Sequence, residues 1–340
     1  MEAKSARMTD WRLLVPGLAA GVLIAAAAWA LGGFAPLVGA PVLALAAGVF
    51  VANAIHTPPA WRPGMDFTLK RLLRLAIVLF GATLSLNQVL RIGAGSLLVL
   101  LVTILLALSL TALFGRWLRA PSGLTNLIGV GTAICGATAI LTVGPIIESK
   151  EEEIAFAVTT IFLFNMLAVI VYPLLGHVLG LSDAAFGVWA GAAIHDTSSV
   201  VAASFQFSEP AGQVATVVKL TRTLMLVPLA LTYGVLHSYR KNRQGAGGGV
   251  RVNIVKIFPW FILWFVLAAV MNTAGVLQGP ILRSASLAGR FLVVTVMAAV
   301  GLSADLRRMR AIGLRPFYVG LAASVMIAAV SIVLVGALAD

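Results

Sequence analysis

The sequence predicts an all-α polytopic membrane protein: about nine transmembrane helices plus two re-entrant or broken helical hairpins, arranged as the inverted repeats of a secondary transporter. Three observations lead there. Of the 340 residues, 60% are hydrophobic and only 11% are charged, and the mean hydropathy of +1.02 is far above what a soluble domain keeps in water. Apolar runs of roughly 20 residues, the length that crosses a bilayer, recur from Leu13 onward with short polar connections. This leaves room for one integral domain over 1–340. The third observation is an interruption that occurs twice. Ala133-Ile134-Cys135-Gly136-Ala137-Thr138-Ala139-Ile140 aligns with Ala193-Ile194-His195-Asp196-Thr197-Ser198-Ser199-Val200, each a small or polar break inside an apolar run.

In chain order, the first helix is expected over 13–33 and the second over 37–55, stopping before His56-Thr57-Pro58-Pro59. A loop carrying Arg62, Lys70 and Arg71 leads to a short third span, 72–86, and a fourth, 92–117, closes on Arg116 and Arg119. The first hairpin occupies 122–148. After the acidic run from Glu148 to Glu153 come a long span over 154–179, the second hairpin over 184–207, and a span over 211–236 that closes on Arg240, Lys241 and Arg243. Residues 244–249 are glycine-rich, so 240–253 reads as a flexible cytoplasmic linker. Spans over 258–275, 287–302 and 316–338 complete the chain.

The net charge of +12 would suggest nucleic acid in a soluble protein, but here Lys and Arg lie mainly between apolar runs. The charge therefore reports orientation: the basic connections face the cytoplasm, with the N-terminus inside, the C-terminus outside and the lipid bilayer as the partner. No nucleic acid is expected. The one cysteine, Cys135, allows no intrachain disulfide. No small-residue cleavage site follows the first apolar run, which is expected to stay as a helix.

A second internal similarity links Gly81-Ala82-Thr83-Leu84-Ser85-Leu86-Asn87 to Val300-Gly301-Leu302-Ser303-Ala304-Asp305, each at the end of a short span before a longer one. Parity then sorts the topology. If both interrupted elements crossed the membrane, one repeat pair would be parallel and the other inverted. If each dips in and returns to its own face, both pairs are inverted, so one hairpin is expected from each side. Two broken helices crossing fully are the alternative.

The first tip offers Gly129, Gly131, Thr132, Cys135, Gly136, Thr138 and Thr142, small and hydrogen-bonding residues around helix ends suited to an anion. Close helix packing is the plain competing reading, and Cys135 itself reads as a packing residue. The second tip carries His195 and Asp196, the costliest residues of that segment to place in a membrane, followed by Thr197, Ser198 and Ser199. They could bind polar groups of a substrate or relay a proton. Lys219 and Arg222 share one face of the 211–236 span with no acid in mid-span, and Glu209 lies too far along to pair with them. Their partner is a bound anion, hairpin carbonyls or Asp196. Asn165, Ser85, Asn87, Ser303 and Asp305 are weaker signals, the last four reading as helix ends. No zinc spacing, phosphate loop or metalloprotease motif occurs, and no enzyme, metal or cofactor is expected.

With Ile134-Cys135-Gly136-Ala137-Thr138-Ala139-Ile140, His195-Asp196-Thr197-Ser198-Ser199-Val200-Val201-Ala202-Ala203 and Val218-Lys219-Leu220-Thr221-Arg222, the chain resembles the bacterial YeiH family over essentially its whole length. That family's working label is sulfate exporter, and the resemblance implies an anion carrier of the inner membrane more than sulfate in particular. Thr197-Ser198-Ser199 departs from relatives that carry a glutamine shortly after the acid, which bears on substrate preference. The expected function is export of a small anion such as sulfate, sulfite or an organosulfur anion, coupled to H⁺ or Na⁺. Thr132, Cys135, Gly136, Thr138, His195, Asp196, Ser198, Ser199, Lys219 and Arg222 are the candidate substrate-binding residues, and a homodimer is compatible with the architecture. The alternatives are a cation/proton antiporter, in which Asp196 binds the ion, and a non-transporting membrane sensor.

Overall fold

The computed structural model describes residues 11–34, 39–55, 57–243, 253–304 and 314–339, and every regular element among them is helical. α1 (Trp11–Gly32) and α2 (Gly39–Ile55) open the chain. A short 3₁₀ turn, Pro59–Trp61, starts α3 (Arg62–Phe67), which passes through a π-helical stretch, Thr68–Leu72, into α4 (Leu73–Gly81). Arg62, Lys70 and Arg71, expected in a loop, thus lie on helix. The second helix ends at Ile55, as expected, and Pro59 and Pro63 sit in the first turns of the helical stretch that follows, where a missing N–H is tolerated.

α5 (Leu86–Trp117) begins at a capping box between Ser85 and Gln88. The first interrupted element resolves into α6 (Ser122–Ala133) and α7 (Ala137–Ile146), and α8 (Glu151–Val178) follows. The second resolves into α9 (Asp183–Ala193) and α10 (Thr197–Phe207). α11 (Glu209–Leu224) and α12 (Leu226–Arg243) together make a span of 35 residues. α13 (Ile254–Ile257), α14 (Phe261–Thr273), α15 (Pro280–Leu302) and α16 (Leu314–Ala339) complete the described chain. Most of the expected linker, 244–252, lies outside the described residues, as do Asp305 and 306–313. Six helices among those described are long and apolar enough to cross a membrane, with Glu209–Arg243 counted as one.

Both interrupted elements fold back on themselves. In the first, Leu127 lies against Gly144, and a methyl on Gly131 would meet Ile140 at 2.7 Å, so residues equally far from the break face each other. In the second, Ser208 Oγ donates to Asp183 Oδ1 at 2.6 Å, and Phe186 stacks on Phe207 with ring centroids 4.0 Å apart. Collinear helices would hold these pairs from about 14 to nearly 40 Å apart at 1.5 Å per residue.

The mouths of the two hairpins lie at opposite ends of the α11–α12 span. Lys241, near the end of α12, pairs with Glu148 at the first mouth at 2.6 Å, whereas Ser208, at the second mouth, caps the start of α11. Glu148 is exposed, and Lys241 beside it, with His237 contributing, holds its carboxyl below the ordinary glutamate range.

Around this assembly the helices form two groups. α5 to α12 and α16 enclose the hairpins, while α1 to α4, α14 and α15 pack together on one side. Small residues set the spacing within the second group: a methyl on Gly301 would run into the backbone oxygen of Leu45, and one on Gly48 would lie 2.5 Å from Ala298 O. The groups meet where α10 packs on α2 and α15, with Phe205 stacked on Phe80 at 4.1 Å. Glu209, expected to stand apart from the cations of its own helix, bonds Arg290 and Ser286 of α15.

Candidate functional site

Each hairpin breaks because its sequence cannot continue the helix. Gly136 adopts φ +63°, a left-handed conformation that favours glycine, and ends the first break. In the second, Ile194 is extended and Asp196 caps α10, its Oδ2 accepting from Ser198 N at 2.9 Å, Ser199 N at 3.3 Å and the Ser198 hydroxyl. Both breaks therefore expose the last carbonyls of one helix (α6 or α9) and the first amides of another (α7 or α10) at the same tip.

Lys219 and Arg222, fully buried on one face of α11, satisfy those carbonyls. Lys219 Nζ donates to Ile134 O on the first tip at 2.9 Å and to Ile194 O on the second at 2.7 Å. Arg222 does the same with its wider fork: Nε to Ala133 O at 2.6 Å, Nη2 to Thr132 O at 2.5 Å, and Nη1 to Ala192 O at 2.7 Å. Of the three partners the sequence left open, the hairpin carbonyls are the one observed. Unpaired, two such cations would each cost several kcal/mol to bury. Here, carbonyls carrying the partial negative charge of two helix C-termini, at charge-assisted distances, offset that cost.

A third cross-link comes from α8. Asn165 Oδ1 accepts from His195 N at 3.2 Å and from Asp196 N at 3.1 Å, which fixes its other amide atom as the NH₂. The His195 ring is buried, and its Nε2 lies 2.8 Å from Ser324 Oγ on α16. Because Ser324 also donates to Gly320 O, the hydroxyl is left to accept, which makes Nε2 the donor of this bond. His195 Nδ1 and Thr132 Oγ1 are buried without a hydrogen-bond partner.

The candidate residues thus converge, with differences in kind. Lys219, Arg222, Thr132, Cys135, Gly136, His195, Asp196, Ser198 and Ser199 surround the meeting point of the tips, and the Gly136 methyl position is 3.7 Å from Asp196 Cβ. Cys135 is buried with no disulfide partner. Thr138 stands exposed on the first turn of α7, and Thr142 bonds back to its carbonyl at 2.8 Å. Gly129 faces Thr111 of α5 and is a packing glycine. Asn165 had only its polarity inside an apolar run to mark it, and Ser324 had no signal: a serine in a membrane helix is commonplace.

The family model described as "conserved hypothetical protein 698" matches residues 16–320. The chain is 35% identical to a UPF0324 membrane protein of Clostridium tetani over 334 residues, 94% of this chain and 97% of that protein. A UPF0324 membrane protein of Streptococcus mutans is 37% identical over 330 residues, 93% of this chain and 95% of the relative, and one of Streptococcus agalactiae is 35% identical over 316 residues, 91% and 92%. With three tip motifs of the YeiH type, a family match over most of its length and such relatives, this chain belongs to the UPF0324 family of bacterial membrane proteins.

Proposed function

We propose that this protein is a secondary transporter of a small anion, with two hairpins that enter the cytoplasmic membrane from opposite faces and meet at its midplane. The observation that carries the reading is the single Lys219 ammonium bonded to both tip carbonyls. Lys219 lies ten residues into α11, about 15 Å at 1.5 Å per residue, and the 12-residue α6 and 11-residue α9 reach about as far. That is half the roughly 30 Å hydrocarbon core. Interrupted helices meeting at mid-membrane with their ends around one point are how secondary carriers build a substrate site. In this reading nine segments cross the bilayer, the N-terminus is cytoplasmic and the C-terminus is outside.

Charge supports an anion. Each helix end carries roughly half a charge, so the C-termini of α6 and α9 offset about one of the two cations while the N-termini of α7 and α10 return about as much. Asp196 offsets the second cation, which leaves an excess of about one positive charge at the tips. In addition, the third N–H of Lys219 makes no bond among the described residues. The resemblance of the motifs to the YeiH family points to sulfate, sulfite or an organosulfur anion, with H⁺ or Na⁺ as coupling ion. The test is uptake of radiolabelled sulfate and sulfite into proteoliposomes under imposed pH and Na⁺ gradients. Flux above that of empty liposomes is expected. Sodium-dependent proton flux without added anion would replace this reading with a cation/proton antiporter.

A further inference from the structure

Of the four helix ends gathered at the tips, three carry side-chain hydrogen bonds on their open backbone groups, whereas the first two amides of the fourth carry none. The carbonyls of α6 and α9 are taken by Lys219 and Arg222, and the amides of α10 by Asp196. α7, ten residues long, has Gly136 at its cap position, which supplies no side chain, and the amides of Ala137 and Thr138 make no hydrogen bond among the described residues. A second group points at the same spot. Asn165, 95% buried by its 5% exposure, spends Oδ1 on the second tip, and its Nδ2 lies 3.6 Å from the methyl position of Gly136 with no hydrogen bond among the described residues. Beside these donors Thr138 is exposed and Asp196 only half-buried.

Resting on the transporter reading, we propose that a small oxyanion is held at the start of α7 by the Ala137 and Thr138 amides and Asn165 Nδ2, with Lys219 and Arg222 as positioning residues behind it. The uncommitted groups at the start of α7, the Ala137 and Thr138 amides and Asn165 Nδ2, are all donors, and donors at a helix N-terminus select anions. Asp196 does not contradict this. Its Oδ2 is occupied by the α10 amides and the Ser198 hydroxyl, so its charge is already compensated within the second hairpin. Arg222, by contrast, points its hydrogen bonds at carbonyls that an anion would have to displace, and Lys219 spends two of its three N–H donors in the same way.

The variant Asn165→Asp separates the two jobs of this side chain. It keeps an acceptor for the amides of His195 and Asp196 but replaces the NH₂ with an oxygen that repels an anion. Melting of the purified full chain would be followed in sodium sulfate or sodium sulfite against sodium chloride at equal ionic strength. The native chain is expected to be stabilised by at least one of the two, and Asn165→Asp to need about tenfold more anion or greater for the same shift, measured from its own melting without anion. Ala137→Pro removes one cradle amide at a position where proline suits a helix, and it decides the matter should Asn165→Asp fail to fold. Unchanged anion affinity in the folded variants overturns the cradle and leaves the transporter reading standing. No stabilisation of the native chain by either anion overturns both.

Discussion

At the scale of single residues, Lys219 and Arg222 act as the staples of the fold. Lys219→Ala or Arg222→Ala leaves helix-end carbonyls of both hairpins without donors in a dry interior, at about 1–3 kcal/mol for each group left unmade. Either variant is expected to lower the melting temperature of the detergent-purified protein by more than Thr138→Ala does, since Thr138 is exposed. A conservative Arg222→Lys does not restore stability, because one ammonium cannot span the Thr132, Ala133 and Ala192 carbonyls that the guanidinium reaches. At the rim, Glu148 gives a pH dependence of fixed sign. Its carboxyl is held below the ordinary range by Lys241, so its stabilisation is complete above the unfolded value of about 4.3 and fades as pH falls through the lower folded value. Glu148→Gln is expected to flatten melting temperature against pH in that acid window. The pair at 219 and 222 was legible as buried cations because spacing puts them on one helix face. Which of the three candidate partners holds them was not, because carbonyls carry no residue identity and the tips are far away in sequence.

At the scale of elements, the two interruptions were legible as matched breaks, and their folding back followed only from the parity of the second repeat. The contacts that realise it, Leu127 on Gly144 and Phe186 on Phe207, join residues no periodicity singles out. The stretch at 62–72 misled for a physical reason: Arg and Lys on a helix near its end extend their stems and reach water, so a basic run need not be a loop. Asn165 shows the converse, a polar residue with two backbone partners that only the fold supplies. Packing between α2 and α15 depends on glycine at the crossing. Gly301→Leu would drive a side chain into the backbone of Leu45 and is expected to cost about 1–3 kcal/mol or more, read as a lowered melting temperature. A leucine at Gly95 of α5, which faces open space, is the control and is expected to change little.

At the scale of the whole molecule, the arrangement stands on one geometrical relation: the hairpin mouths lie at opposite ends of the α11–α12 span, and the tips meet on Lys219 between them. Composition made the membrane setting plain, and charge between the spans set the expected orientation, whereas the Lys219 bonds that join the two tips needed the three-dimensional fold. Because Cys135 is the single cysteine, a Cys135→Ser chain gives a clean background for labelling. Cysteines placed one at a time at Ser149, beside the first mouth, and Ser182, at the start of α9, would be exposed to a membrane-impermeant maleimide in intact cells and again after permeabilisation. Opposed hairpins predict that the Ser182 position reacts from outside and the Ser149 position only once the membrane is opened. Reaction of both from one face, or of the Ser149 position alone from outside, would contradict the account.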